Sequence, residues 1–273
     1  MDTPAITDKE FSQFQKLIHS IAGIHMNPIK KPLVMGRLAK RLMHYGLHSY
    51  GDYFKLLDSG EHPKELQTAV DLLTTNETYF FREPKHFEFL QQKILPMHAR
   101  SKNFRVWSAA CSTGQEPYSI AMTLAHALGD NPWEVIASDL STRVLEKART
   151  GHYPLEQAEN ISSEFLAKFC LKGIGSQAGT FIVDKTVRCR VKFSQINLNT
   201  RLPRTDMMDL IFLRNVMIYF DTEIKRQILA RMATVLVPGG YLLLGASETV
   251  AGLSDDFDLL NTGRTALYRR KGA

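Results

Sequence analysis

The sequence has 273 residues, 44% of them hydrophobic, which is enough to bury one large core or a large core and a small one, and we expect two domains. No run approaches the roughly 20 consecutive apolar residues that span a bilayer, and the first residues lack the basic and apolar regions of a signal peptide. These features predict a cytoplasmic protein without membrane insertion. The formal charge of +6 favours an acidic partner, although an excess of this size is also typical of an ordinary surface.

Three cysteines, Cys111, Cys170 and Cys189, are spread along the chain without a CxxC pair. That spacing suits neither a zinc site nor a disulfide framework. We therefore predict reduced thiols and no bound metal.

Apolar residues recur at intervals of three and four in the first third of the chain, and we assign residues 1–75 to an N-terminal helical domain. The segment from Lys30 to His44 is predicted to be an amphipathic helix with a basic ridge formed by Arg37, Lys40 and Arg41. Such a ridge is either a solvated face or a docking face, and the pattern alone favours neither.

Strands alternate with helices after Phe104, which predicts a mostly parallel sheet covered by helices on both faces. The predicted strands cover residues 104–110, 134–139, 191–198, 208–215 and 240–247, with a further edge strand over 265–270. The predicted helices cover residues 115–128, 141–149 and 222–236. The sequence Pro238-Gly239-Gly240 is expected to stop the last helix.

One segment, at about 151–190, interrupts this alternation. It contains a polar helical piece and a glycine-rich loop, LKGIGSQAGT, over 171–180. The alternating run FIVDKTVRCRV, residues 181–191, then suggests a hairpin. We predict a small β-rich insertion in the sheet domain.

In an open parallel sheet, ligands bind beyond the carboxyl ends of the strands. The first predicted strand is followed by a turn of small residues, where backbone amides can approach a ligand, and by Glu116, whose carboxylate can accept from a cationic amino group. The second strand ends at Asp139, roughly 25 residues after that turn, where a carboxylate can bind both hydroxyls of a ribose. Asp139 fits equally well as a helix N-cap in partnership with Ser141.

The turn after the first strand has a single glycine, Gly114, whereas a dinucleotide site needs GxGxxG to hold a pyrophosphate. The chain also lacks the GxxxxGK[ST] loop of the NTPases. A nucleoside ligand without phosphates is therefore favoured. S-adenosylmethionine has this chemistry, because it joins adenine and ribose to a zwitterionic amino-acid tail.

Five segments occur in order along the chain: TTNETYFFRE from Thr74, WSAACSTGQEPYSIAM from Trp107, SDLS from Ser138, FSQINL from Phe193 and FLRNVMIYFD from Phe212. Together they closely resemble the bacterial chemotaxis receptor methyltransferase family, called CheR, over nearly the whole chain. The resemblance implies an α/β fold: a Rossmann-like S-adenosylmethionine-binding sheet domain over 101–273 with an inserted small β-subdomain. An all-α N-terminal domain and a linker over 76–100 with a cofactor-contacting motif would precede it.

The resemblance also implies which residues line the cofactor pocket. They are Asn76, Thr78, Arg82, Glu116, Asp139, Asn197, Leu198, Arg214 and Asn215. Without the family, Asn76 and Thr78 would be assigned to a helix cap. Likewise, Asn197 and Asn215 are typical turn residues at strand ends.

The implied activity is methyl transfer from S-adenosylmethionine to glutamate side chains of chemoreceptors, forming methyl esters for sensory adaptation. A glutamate with a pKa of about 4.3 is ionised at neutral pH, so the reaction needs positioning rather than a general base. By the resemblance, Arg82 orients the incoming carboxylate and Tyr219 fixes it through a hydrogen bond. Without the family, Arg82 would be paired with Glu77 or Glu83 and Tyr219 would be assigned to the core.

The implied partners are the cytoplasmic helices of chemoreceptors. Their negative glutamates complement the ridge formed by Arg37, Lys40 and Arg41, which makes it the expected docking surface. The loop over 171–180 resembles the family version whose β-subdomain tethers a receptor C-terminal peptide as an added strand. We expect a monomer with no nucleic-acid partner.

The sequence also allows two other classes of function. A methyltransferase acting on nucleic acid or on another acidic protein would share the sheet and the positive charge. However, no NPPY-like or catalytic-cysteine motif follows the fourth strand, where the chain reads Arg-Asn-Val-Met over 214–217. A non-catalytic module that only binds the cofactor is the third class, and the presence of Arg82 and Tyr219 argues against it.

Overall fold

The computed structural model describes residues 4–98, 102–260 and 267–272. The chain divides into two compact units. The first comprises the residues up to Thr75 together with Tyr219–Ile224, and the second comprises Asn76–Ile218 and the residues from Lys225 onward. Among the helices of these described ranges, none combines the length and the apolar character needed to cross a membrane.

The main helices of the first unit are α1 (Asp8–Ala22), α2 (Lys31–Tyr45), α3 (Tyr50–Asp58) and α4 (Pro63–Leu73). A capping box between Thr7 and Glu10 begins α1, and the left-handed Gly23 ends it. The core consists of buried aromatic and aliphatic side chains, including Phe11, Phe14, Ile18, Val34, Leu38, Leu42, Tyr50 and Tyr53. The amphipathic spacing of the sequence therefore predicts these helices well.

The strands of the second unit are β1 (Phe104–Ala109), β2 (Trp133–Asp139), β3 (His152–Pro154), β4 (Cys170–Lys172), β5 (Thr180–Val183), β6 (Val191–Gln195), β7 (Met208–Leu213), β8 (Leu236–Leu244), β9 (Phe257–Leu259) and β10 (Leu267–Arg270). Its helices are α5 (Pro84–Phe89), α6 (Gln115–Leu128), α7 (Thr142–Thr150), α8 (Ser163–Phe169) and α9 (Lys185–Arg188). The last helix, α10 (Thr222–Val235), begins in the first unit and continues in the second.

Seven of the described strands form one sheet in the order β6-β2-β1-β7-β8-β10-β9. The pairs from β6 to β8 are parallel, and β10 is antiparallel to both of its neighbours. The chain order reverses at β1, which has β2 on one side and β7 on the other. Such a switch point opens a crevice at the carboxyl ends of the strands, where ligands of open α/β sheets bind.

The small antiparallel sheet has the order β3-β5-β4. The hairpin predicted over 181–191 is wrong, because β5 ends at Val183 and β6 belongs to the large sheet. Between them, the Asp184 side chain accepts from the backbone N–H of Thr186 at 2.8 Å and begins the short helix α9. An Asp at this position is an N-cap signal that the alternating pattern concealed.

The end of the chain also differs from the prediction. The expected edge strand is β10, but it pairs with both β8 and β9, so β9 forms the edge. Residues 265 and 266 of the predicted strand lie outside the described residues. In addition, α10 ends at Val235, and Pro238-Gly239-Gly240 lies within β8 rather than stopping a helix. The β7–β8 register shifts there, and a proline is tolerated at such an irregularity.

Candidate cofactor site

Left-handed backbone conformations mark the turns around the carboxyl end of β1. Among the described residues, the non-glycine positions with positive φ are Phe81, Glu83, Ala110, Ser112 and Asn215. They lie in the turns after β1 and β7 and in the segment that leads into α5. Each such position costs about 1–3 kcal/mol and persists only where the surroundings determine it, which is common at functional sites.

Asp139 lies at the end of β2 with its side chain buried. Its carboxylate accepts from the backbone N–H of Ser112 at 2.8 Å and from that of Ser141 at 2.9 Å. The N-cap of α7 is Ser141, whose side chain accepts from Val144, so Asp139 is not the capping residue. The hydroxyl of Ser112 donates to the carbonyl of Asn76 at 2.7 Å. Asp139 therefore holds the turn after β1, and that turn holds the segment at Asn76.

Tyr153, a residue of the small sheet, contacts the turn after β1. Gly114 has φ 97°, and a Cβ there would lie 2.8 Å from the hydroxyl oxygen of Tyr153 and 2.9 Å from Cβ of Ala148. The Tyr153 hydroxyl donates to the carbonyl of Thr113 at 2.8 Å. Only glycine fits at position 114. Tyr153 therefore helps to shape the turn. Sequence reasoning missed this role, because a tyrosine in a short strand gives no signal of a contact with a distant turn.

Glu116 and Arg214 form a buried pair of opposite charges at the ends of β1 and β7. One Glu116 oxygen accepts from the Ser108 hydroxyl at 2.7 Å, and the other lies 3.5 Å from Nε of Arg214. Burial raises the pKa of Glu116 above its ordinary value, and the Arg214 charge only partly offsets that effect.

Arg214 retains unused hydrogen-bond donors. Its Nη2 donates to the carbonyl of Arg82, whereas Nε and Nη1 are buried without a hydrogen-bond partner in the described part of the chain. The guanidinium lies 5.9 Å and 5.8 Å from the ring centroids of Phe87 and Phe212. Buried donors of this kind indicate a missing acceptor, such as the carboxylate of a ligand.

Asn215 follows Arg214 and is held by two carboxylates. Its backbone N–H donates to Glu248 at 2.8 Å, and its side-chain Nδ2 donates to Glu83 at 3.3 Å. Glu248 lies beyond β8 and is buried. Sequence reasoning missed the contacts of both carboxylates with Asn215, because a glutamate in a polar turn gives no signal of a partner distant in sequence.

The turn after β6 lies beside Asp139. The strand β6 ends at Gln195, three residues before the predicted boundary, and the backbone N–H of Ile196 donates to the carbonyl of Asp139 at 3.1 Å. The Asn197 side chain then accepts from the N–H of Asn199 at 2.9 Å and forms a turn. Leu198 is buried, and its carbonyl accepts from Arg231 at 2.8 Å.

Arg82 lies in the segment that begins at Asn76. Its Nη1 donates to the backbone carbonyl of Glu77 at 3.2 Å, and its guanidinium lies 5.6 Å from the ring centroid of Tyr79. The segment therefore folds back on itself, and Thr78 within it is half-buried. The side-chain ion pairs with Glu77 and Glu83 considered for Arg82 are replaced by this backbone contact.

The other predicted residues belong to the first unit. The carbonyl of Tyr219 accepts from the N–H of His25 at 2.7 Å, and Nζ of Lys30 lies 5.2 Å from its ring centroid. Arg37 donates to the carbonyl of Thr74 at 2.8 Å.

Arg41 was predicted to belong to an exposed basic ridge, but its guanidinium is bound to another side chain. Its guanidinium makes a bidentate pair with the buried Glu65, with Nε and Nη2 at 2.7 Å and 2.5 Å from the two oxygens. The Tyr53 hydroxyl donates to the same carboxylate at 2.5 Å. Arg41 therefore stabilises the helical unit, and Lys40 is the exposed cation of the predicted ridge.

The second unit thus has carboxylates beyond β1 and β2, a turn after β1 with a single glycine, and a reversal of strand order at β1. This is the architecture of the Rossmann-like S-adenosylmethionine-dependent methyltransferases. Residues 76–266 match the family described as CheR methyltransferase, SAM binding domain, and residues 9–74 match the CheR methyltransferase, all-alpha domain.

Curated relatives match along nearly the whole chain. The chemotaxis protein methyltransferase of Escherichia coli (strain K12) is 42% identical over 258 residues, which cover 93% of this chain and 89% of the relative. That of Salmonella typhimurium (strain LT2) is 41% identical over 272 residues, covering 98% and 93%. The chain therefore belongs to the CheR methyltransferase family. It is an S-adenosylmethionine-dependent methyltransferase, so the predicted family, fold class and cofactor are confirmed.

Proposed function

We propose that this enzyme transfers a methyl group from S-adenosylmethionine to glutamate side chains of methyl-accepting chemoreceptors and so forms the methyl esters used in sensory adaptation. The observation that carries the proposal is the similarity to chemotaxis protein methyltransferases across both units of the chain. No feature of the described residues favours nucleic acid as the substrate.

The charges of the crevice fit the cofactor. Glu116 and Arg214 are opposite charges side by side, as a zwitterionic amino-acid tail requires, and Arg214 has buried donors to offer a carboxylate. Asp139 lies one strand away and suits the ribose hydroxyls. We assign the cofactor pocket to Asn76, Thr78, Arg82, Glu116, Asp139, Asn197, Leu198, Arg214 and Asn215.

The cofactor supplies an electrophilic methyl group on a positively charged sulfur. The protein has to bring an ionised glutamate into line with it and exclude water, since opposite charges cancel as the reaction proceeds. We assign Arg82 to orient the carboxylate and Tyr219 to fix it through its hydroxyl. Strong binding of the ground-state carboxylate would slow the reaction, so few contacts are needed.

We propose that α2 takes part in docking the receptor. A chemoreceptor helix that carries glutamates is negative, and the exposed Lys40 suits it. Arg37 and Arg41 contribute positive charge from side chains that also bind Thr74 and Glu65.

We further propose that the small sheet binds a receptor C-terminal peptide as an added strand. Support comes from β4, which is at the edge of the small sheet in the described residues. Its Leu171 and the following Ile174 are 57% and 84% exposed, large fractions for apolar side chains. They line a pocket with His152 and Gly173 that a peptide side chain can enter. The monomeric state and the cytoplasmic location stay predictions.

The proposed function is tested by mixing the purified enzyme, S-adenosylmethionine labelled on the methyl group, and a chemoreceptor cytoplasmic domain. We expect label on the receptor that alkali releases as methanol, because esters hydrolyse in base. Absence of label, or label that resists alkali, would contradict glutamate esterification. A parallel reaction with nucleic acid as the acceptor tests the alternative substrate.

A further inference from the structure

Glu248 is a buried carboxylate that the assignments above leave without a role. It follows β8 and is 7% exposed. One oxygen accepts from the backbone N–H groups of Asn215 at 2.8 Å and Gly245 at 2.7 Å, and the other lies 3.3 Å from the N–H of Ile218. A single side chain therefore binds backbone from the ends of both β7 and β8.

The turn held in this way contains a residue with a left-handed backbone. Asn215 has φ 56°, in a region that is uncommon for residues other than glycine and that asparagine enters more readily than most. Hydrogen bonds to an ionised acceptor are about twice as strong as neutral ones, so Glu248 is well suited to stabilise this conformation.

The packing around Glu248 leaves little room for the turn to move. A Cβ at Gly245 would lie 2.6 Å from Nδ2 of Asn215 and 2.8 Å from the Glu248 carboxylate. On the other side, Glu83 accepts from the same Nδ2 at 3.3 Å. Backbone and side chain of Asn215 are thus each bound to a carboxylate.

We propose that Glu248 is a positioning residue of the methyl-transfer site. By holding the turn from Asn215 to Ile218, it fixes the direction in which Arg214 and Asn215 face the cofactor. This inference rests on the proposed cofactor pocket. Glu248 itself need not touch the cofactor, since it acts through the backbone of the turn.

The test is the variant Glu248→Gln in the full chain, studied by calorimetric titration with S-adenosylmethionine and by methyl-transfer kinetics. An amide retains one acceptor oxygen but turns an NH2 group toward a backbone N–H, so at least one bond to a charged acceptor is lost. We expect the Kd for S-adenosylmethionine to rise about tenfold or more, with a matching fall in kcat/KM for the cofactor. An unchanged Kd would overturn the inference.

A matched control separates positioning from a general loss of stability. Glu65→Gln also removes a buried charge, but in the helical unit. It should lower the unfolding temperature while leaving the Kd for S-adenosylmethionine within about twofold of the wild type. If both variants weakened cofactor binding equally, Glu248 would have no specific role.

A second variant, Gly245→Ala, covers the case in which Glu248→Gln does not fold. It disturbs the same turn through the crowded Cβ without changing a charge, and we expect weaker cofactor binding here as well. Normal binding by Gly245→Ala, when Glu248→Gln is unfolded, would contradict the inference. Failure of the wild-type protein to bind S-adenosylmethionine would instead refute the proposed pocket.

Discussion

Arg82 and Tyr219 are the two residues assigned to the carboxylate of the receptor glutamate. The Arg82 guanidinium donates to one backbone carbonyl, of Glu77, at 3.2 Å. The backbone carbonyl of Tyr219 accepts from the N–H of His25, and its ring centroid lies 5.2 Å from Nζ of Lys30.

We predict that Arg82→Ala and Tyr219→Phe each lower kcat for methyl transfer by about tenfold or more, because each removes one contact that guides the carboxylate. The affinity for S-adenosylmethionine should change less than kcat. Kinetics at saturating cofactor, with calorimetry on the same samples, provide the measurement. Wild-type turnover in both variants would remove these residues from the mechanism.

Glu65 gives a prediction about stability and pH. Burial alone would raise the pKa of this carboxyl, but hydrogen bonds from Arg41 and Tyr53 outweigh burial and hold the pKa below its ordinary value of 4.5. A lowered folded-state pKa means that the contribution of Glu65 is complete above pH 4.5 and is lost as the pH falls through the folded-state value.

We expect Glu65→Gln to lower the free energy of unfolding at neutral pH by about 2–3 kcal/mol, since it leaves the Arg41 charge without its partner. The deficit relative to wild type should shrink on acidification below pH 4.5. Urea unfolding of both proteins at several pH values checks this. A deficit that does not depend on pH would show that the charge of Glu65 contributes nothing.

At the residue scale, sequence reasoning found carboxylates that end strands, such as Asp139, because a parallel sheet brings strand ends to one edge. It did not find Glu248 or Tyr153. Both act on backbone groups of turns distant in sequence, at Asn215 and Thr113, and no local pattern encodes such a contact. The ion pair of Arg41 with the buried Glu65 was equally hidden, since the two residues lie 24 positions apart.

At the scale of elements, helices α1 and α2 follow from amphipathic spacing, and α6 has the predicted bounds. The wrong predictions of secondary structure lie where short helices and strands follow one another. The run over 181–191 alternates like a hairpin, yet a cap residue divides it between two sheets. Periodicity reports which face of a segment is buried, but not which sheet the segment joins.

Helix α2 gives a prediction that separates docking from stability. Lys40→Glu should slow receptor methylation with a larger defect at low salt, because exposed charges are screened over about 10 Å at 0.1 M salt. Arg41→Glu should mainly lower the free energy of unfolding, since it places a second carboxylate beside Glu65.

Lys16→Glu on α1 is the control for Lys40→Glu, because it changes the charge equally at another exposed lysine. Methylation rates across a series of salt concentrations distinguish the variants. Equal rates for Lys40→Glu and Lys16→Glu would exclude a specific docking role for α2 at this position.

The small sheet gives a second prediction at this scale. Titration of a receptor C-terminal peptide into the enzyme should release heat, and Ile174→Asp should abolish it by placing a charge beside the edge of β4. Ile29→Asp, at an apolar residue of the first unit that is 83% exposed, is the matched control and should retain the heat. An absence of heat from the wild type at high peptide concentration would count against tethering.

At the scale of the whole molecule, the fold class was predicted from the alternation of strands and helices that begins near Phe104 and from the order of motifs along the chain. The sheet order could be anticipated only in part, since β9 and β10 are short and their pairing depends on contacts with β8. The fold alone does not identify the function, because sheets of this type occur in proteins with many different activities. The similarity to chemotaxis protein methyltransferases over both units supplied the substrate class that is proposed.

We propose above that the cofactor binds between Glu116 and Asp139. A crystal structure of the enzyme with S-adenosylhomocysteine, the demethylated product, tests it most directly. We predict that the amino-acid tail lies against Glu116 and Arg214 and that the ribose hydroxyls bind Asp139. Ligand bound elsewhere on the chain, or no ligand beside Glu116 and Asp139 at saturating concentration, would contradict the proposed cofactor site.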